Sequence, residues 1–146
     1  MKKNIIKNFN IPDPVYNKPV MVMYGCSNDE FHTFLEQEHK NVTMPREGQQ
    51  IAKYVFIKTG NWYTSYVWME HADPLDPYDI GSLSHELAHH TFFVLNSSGV
   101  EVIPGKSEEA FTYYHTYLLE QALMHLNRDK RVQRAKQKKV SGGGSH

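Results

Sequence analysis

Ser84-His85-Glu86-Leu87-Ala88-His89-His90 is the stretch from which the rest of the chain can be organised. Neither Pro nor Gly interrupts residues 82–95, and Leu83, Leu87 and Val94, flanked by Ile80 and Thr91, recur at helical spacing. The pattern predicts an amphipathic helix that starts near Asp79, whose carboxylate can cap it, and runs to about Leu95. His85 and His89 lie off the apolar stripe. Four residues on an α-helix advance the direction by about 400°, so His89 stands about 40° round from His85 and one turn further along. Two imidazoles placed in that way can both reach a single ion at about 2.0–2.1 Å.

Glu86 points about 100° away from His85. It is poorly placed as a ligand, but it can reach a water held on the same ion and take its proton as general base. That division of labour is the chemistry of the His-Glu-x-x-His pattern of zinc hydrolases. Two ordinary helix histidines beside a helix glutamate are the bland alternative. A catalytic zinc site also needs a third protein ligand and an open position. One common version places Gly and His at positions occupied here by Phe92 and Leu95, so it is excluded. The other takes a glutamate from a following helix. Glu108 and Glu109 stand 19 and 20 residues beyond His89, at the start of the next predicted helix. One of them is the expected third ligand, and a first-turn acid facing the helix dipole is the ordinary role of the other.

Outward from this segment, Val20–Tyr24 reads as a buried strand. Ser27 or Asn28 can cap a helix from about Asp29 to His39. Residues 41–49, with Pro45 and Gly48, read as a loop. Residues 51–58 and 62–70 are rich in β-branched and aromatic side chains and flank Thr59-Gly60-Asn61, which predicts a hairpin. Asp73-Pro74-Leu75-Asp76-Pro77 breaks the chain. Residues 100–103 can form a short extended piece. A last long helix should begin after Ser107 and reach Arg128 or beyond. Residues 1–18, with Pro12 and Pro14, look like an extended lead-in.

The chain has 146 residues, 40% hydrophobic and 22% charged, which fits one domain with a real core. Seven Phe, nine Tyr and two Trp exclude disorder across the whole chain. No run is long and apolar enough to cross a membrane, and Met1–Asn8 has no apolar run of the secretory type. Cys26 is the only cysteine, which points to a reducing, cytoplasmic setting, and its turn has no His or Asp partner for a cysteine nucleophile. The zero net charge conceals an asymmetry. Residues 1–127 carry nine basic and fifteen acidic residues, whereas residues 128–139 carry seven basic residues and one acid, Asp129. Residues 128–140 therefore read as a basic helix end or tail. A solvated helix end is the bland reading, and a contact with nucleic acid or an acidic partner is the sharper one. Residues 141–146, Ser-Gly-Gly-Gly-Ser-His, read as a linker running into a tag.

His85-Glu86-Leu87-Ala88-His89, followed by Ser107-Glu108-Glu109-Ala110-Phe111-Thr112-Tyr113, resembles the gluzincin-like metallopeptidases. The resemblance is to small HExxH proteins encoded by bacteriophages and, more distantly, to the ImmA/IrrE type. It covers residues 78–123. It implies an α+β, minimal zincin-like domain over residues 1–127, in which a small sheet with a hairpin packs on the HExxH helix and the long C-terminal helix. It also implies a Zn2+ cofactor, a peptide or protein substrate and, if the gene is phage-borne, the cytoplasm of a bacterial host. On the family pattern Glu109, directly before Ala110, matches the third ligand better than Glu108. The implied metal set is His85, His89 and Glu109, with Glu86 as general base. Thr112 departs from the usual alanine.

In many such enzymes a peptide lies along the edge strand beside the metal, and Trp62–Met69 is the expected strand; packing is the bland role for Trp62, Tyr66 and Trp68. Tyr113, Tyr114 and His115 are candidate donors to the developing oxyanion, with Tyr113 sharing a face with Glu109. His90 is expected beside the ligands or at the surface, and His32, His39, His71 and His125 have no ligand-type spacing. A different class of function also fits: a zincin fold used as a structural or interaction protein, in a phage particle or against a host factor, with a structural or vestigial metal site.

Overall fold

The computed structural model of the chain describes residues 6–43 and 50–142. Four strands and three helices follow one another as β1 (Lys7–Ile11), β2 (Val20–Tyr24), α1 (Asn28–Glu38), β3 (Ala52–Thr59), β4 (Trp62–Met69), α2 (Pro77–Ser97) and α3 (Glu108–Ser141). The strands form one mixed sheet in the order β1-β2-β4-β3. β1 with β2 and β3 with β4 are antiparallel, while β2 and β4 are parallel, with Val20 opposite Ser65 and Tyr24 opposite Met69.

Strand alternation sorts the core into two halves. On one face Met23, Val55, Ile57, Tyr66 and Trp68 pack against Phe31 and Leu35 of α1. On the other, Val20, Val22, Val67 and Met69 pack against Leu83, Leu87 and Val94 of α2 and Leu118, Ala122 and Leu126 of α3. The molecule is therefore a three-layer α+β arrangement, with α1 on one side of the sheet and α2 with α3 on the other. Among the described residues no helix is long and apolar enough to cross a membrane.

Local chemistry accounts for most boundaries. Ser27 caps α1 in a reciprocal box with Glu30: the Glu30 amide donates to Ser27 Oγ at 3.2 Å, and the Ser27 amide donates to Glu30 Oε2 at 2.8 Å. α2 begins two residues before the expected Asp79. Asp76 is its cap, accepting from the Tyr78 amide at 2.8 Å, and Pro77 takes the first helical position, where its missing N–H costs nothing. Asp79 instead accepts from the Asp73 amide at 2.7 Å and braces the turn before the helix. Gly99, at φ 76°, ends α2 by letting the Val100 amide reach back to the Leu95 carbonyl.

Three further expectations are corrected. The lead-in contains a strand, β1, which the flanking prolines concealed. Residues 100–103 form no strand; Ser107 Oγ accepts from the Ile103 amide and donates to the Glu101 carbonyl, which folds the connector on itself. Trp62–Met69 is no edge strand, because β4 lies between β2 and β3, and β3 is the edge on that side. Of the loop expected over 41–49, positions 44–49 lie outside the described residues, as do 143–146 of the expected linker.

Buried Asp13 locks the β1–β2 connection to α3. Its carboxylate accepts from the amides of Val15, Tyr16 and Lys18 and from the Tyr114 hydroxyl, all at 2.9–3.0 Å. Burial pushes its pKa up, but the backbone amides and the Tyr114 hydroxyl outweigh burial and hold it below the usual carboxylate value.

Candidate metal centre

α2 carries the motif on a face that the core does not use. Leu83, Leu87, His90, Thr91 and Val94 are buried, whereas His85 and His89 are exposed and Glu86 is half-buried between them and the sheet edge. The Nε2 atoms of His85 and His89 lie 3.1 Å apart. Two nitrogens at about 2.0–2.1 Å from a tetrahedral ion stand roughly 3.3 Å apart, so the pair fits a shared ion with little adjustment. Without one, the same separation suits an imidazole-to-imidazole hydrogen bond.

His85 and Glu86 open onto a cleft of about 400 Å³, walled by Ile51 and Ala52 at the start of edge strand β3 and by Pro77, Tyr78, Gly81 and Ser82 on the first turns of α2. Lys53, on the same edge strand, feels Glu86: burial pulls the ammonium pKa down, the Glu86 charge opposes it, and the net effect is below the ordinary lysine value. Lys53 Nζ also lies 3.1 Å from His32 Nε2, so His32, expected to be unremarkable, is a fully buried partner of the edge strand.

Behind the motif runs a polar chain that sequence reasoning missed. His90 is completely buried, not at the surface. Its Nε2 lies 3.1 Å from the Lys18 carbonyl and its Nδ1 3.2 Å from the Tyr54 hydroxyl. A carbonyl only accepts, so Nε2 carries the proton and Nδ1 accepts from Tyr54. Burial holds the His90 pKa down to about 4, although the Lys18 hydrogen bond and the Asp13 charge oppose that shift. Tyr54 Oη also lies 3.1 Å from Ser65 Oγ, and its ring stacks parallel to His89 with centroids 6.4 Å apart. A buried, neutral histidine thereby fixes the tyrosine against which His89 rests. Period-two alternation in β3 was the available signal, because it sets residues 52, 54 and 56 on the α2 face.

The α3 candidates divide. Glu108 and Glu109 are exposed in the first turn of α3, as expected of the helix start. Among the described residues, however, no group of three or more His, Cys, Asp or Glu side chains is placed to hold a metal ion. His115 is tied down: its Nε2 lies 3.0 Å from the Ser84 carbonyl and 3.3 Å from Ser84 Oγ, and its ring stacks on Phe111. It braces α3 against the turn of α2 that precedes His85. Tyr114 is in the core on Asp13, and Tyr113 is 73% exposed. Cys26 is buried, and burial raises its thiol pKa, which suits packing.

The chain is an α+β domain that presents two exposed, converging histidines on one face of α2. No protein-family model, curated protein or solved structure matches the chain.

Proposed function

We propose that the protein is a zinc-dependent metallopeptidase of minimal zincin type, in which His85 and His89 hold the ion and Glu86 is the general base. The observation that carries this reading is the convergence of the two imidazoles, Nε2 to Nε2 at 3.1 Å, beside a half-buried carboxylate and an open cleft. Zinc bound there supplies a Lewis acid that brings the pKa of water toward about 7. With the ion in place, Glu86 would serve as general base toward water and would pass the proton to the departing amine. The edge strand β3 takes over the role expected of Trp62–Met69. Its outer side can pair with an extended peptide through main-chain hydrogen bonds, which set direction with little demand on sequence. Phe56, Tyr63 and Phe93 stack together beyond Tyr54 and offer an apolar surface next to His89.

We assign the third ligand to Glu109 on the resemblance alone, and that assignment has its own test. Elemental analysis of protein purified without chelator should give one zinc per chain, lost in His85→Ala. Glu109→Ala should lower zinc affinity about 10-fold or more while Glu108→Ala does not. Glu86→Gln should keep the metal and abolish hydrolysis of a peptide library. No zinc uptake by the folded wild type, or full activity of Glu86→Gln, would overturn the reading.

A second reading is favoured by one observation, the lack of a third donor beside the pair among the described residues. In it the domain is a zincin-type structural or interaction protein whose metal, where bound, serves stability. Zinc that raises Tm by many degrees, with no turnover of any library peptide, would select this reading over the first.

A further inference from the structure

α3 is 34 residues long, about 51 Å, and only its first two-thirds lie on the sheet. The last attachments to the body are made by Asp129, which accepts from the Tyr24 hydroxyl and pairs with Lys7, and by Lys130, which pairs with Asp73. Gln133 closes this region on Asp129 at 2.7 Å. From residue 134 to residue 142 every side chain is exposed. Among the described residues Arg128, Arg131, Lys136, Lys138 and Lys139 have no ion-pair partner, and Arg134 makes no close pair but its charge acts on Asp73.

Their arrangement has a shape. At about 100° per residue, Arg128, Lys136 and Lys139 fall within one flank of the helix, and Arg131, Arg134 and Lys138 within another about 115° away. Ala135, the small residue, lies between the flanks. Asp129 and Gln133 lie on the opposite meridian, toward the body. Like charges at spacings of three and four, such as Arg131 with Arg134 and Arg134 with Lys138, repel along the helix and cost stability in isolation. A polyanion that contacts both flanks would turn that cost into binding.

We infer that the basic end of α3, residues 128–139, seats in the major groove of a nucleic-acid duplex, each exposed flank contacting the phosphates of one strand. A helix with side chains is about 10–12 Å across, which matches a groove about 12 Å wide. No aromatic side chain lies among the cations, which disfavours single strands held by stacking. Val132, Ala135 and Val140 are too few and too scattered for the broad apolar face that a membrane surface requires. The groove-facing centre is Ala135, with no side chain that reads base edges, so recognition is of phosphates and independent of sequence. The remaining described body is acidic, so attraction is confined to this helix. Nothing in the proposal depends on the metal site.

The test is fluorescence anisotropy of a labelled, arbitrary-sequence DNA duplex of about 20 base pairs, titrated with full-length protein from 50 mM salt upward. Wild type should bind with an affinity that falls steeply with salt. The triple variant Arg131→Gln, Arg134→Gln, Lys138→Gln should bind about tenfold more weakly or worse, with the logarithmic salt slope reduced by about 2 to 3. The complementary variant Arg128→Gln, Lys136→Gln, Lys139→Gln should lose a similar amount, and His85→Ala nothing. Glutamine is a good helix former and all six positions are exposed, so circular dichroism should show both variants folded. No duplex binding at 50 mM salt, undiminished binding by either variant, or equal affinity for the single strand would each overturn the proposal. Salt-sensitive self-association without duplex binding, lost in the variants, would overturn it too and give the helix a different occupant, the acidic body of a second copy.

Discussion

His89 and His90 are neighbours in the chain and opposites in environment. His89 is exposed, with Nε2 directed at His85. His90 is sealed between the Lys18 carbonyl and the Tyr54 hydroxyl, neutral and without access to solvent. One helical step of about 100° separates a side chain available to a ligand from one committed to the core. The comparison teaches that the two faces of α2 do different work. The inner face, Leu83, Leu87, His90 and Val94, holds the sheet to its helices, while the outer face, His85, Glu86 and His89, bears little packing.

Substitutions should separate the two faces. The largest effect is expected inside: Leu87→Ala removes a fully buried side chain and should cost about 2–5 kcal/mol in denaturant unfolding. His90→Ala should come next, at about 2–4 kcal/mol, because it leaves a cavity and strips the Tyr54 hydroxyl of its acceptor. His85→Ala measured in chelator should change stability by less than about 0.5 kcal/mol, since its site is exposed. An outer-face loss as large as the inner one would break the distinction. Asp76→Ala should cost about 0.5–2 kcal/mol through the lost cap of α2. Gly81→Ala should move stability the other way, by about 0.5–1 kcal/mol, because Gly81 sits in the helix with open space where a methyl would stand.

Acid should act on the buried Asp13 cluster. Asp13 has a folded-state pKa below its unfolded value, so it contributes stability above the unfolded pKa near 3.8, and that contribution is lost as the pH falls through the folded value. Unfolding measured from pH 6 down to pH 2 should show this loss in the wild type and a shallower one in Asp13→Asn. An identical profile for both would assign the acid sensitivity elsewhere.

Much of this arrangement could be read in the residues. The stripe Leu83, Leu87, Val94 named the buried side of α2 and left His85 and His89 outside it, as found. Val20–Tyr24 and the 51–69 hairpin followed from composition and a glycine turn. What could not be read was pairing. Nothing local tells β2 to lie parallel beside β4, and that one contact makes β4 internal and leaves β3 as the edge. β1 was hidden because prolines beside a short polar strand look like a loop. The burial of His90 was not legible because its partners, Lys18 and Tyr54, are distant in sequence and meet it only after the sheet has formed. The choice of Glu109 over Glu108 rested on the resemblance, and an exposed first-turn glutamate looks the same in sequence whether or not it turns toward a metal.

The parallel pairing of β2 with β4 also sets an order of events in time. Val20 must find Ser65, forty-five positions later, after α1 and the β3–β4 hairpin have been made. The hairpin closes over a short loop, whereas the central pair pays a long loop closure before any contact rewards it. During synthesis β2 therefore waits with one edge unpaired until β4 is complete. The rate at which this protein reaches its native state should be set by that late docking. Conservative substitutions in the hairpin should then give φ-values well above those in β1, and the reverse order would refute this sequence of steps.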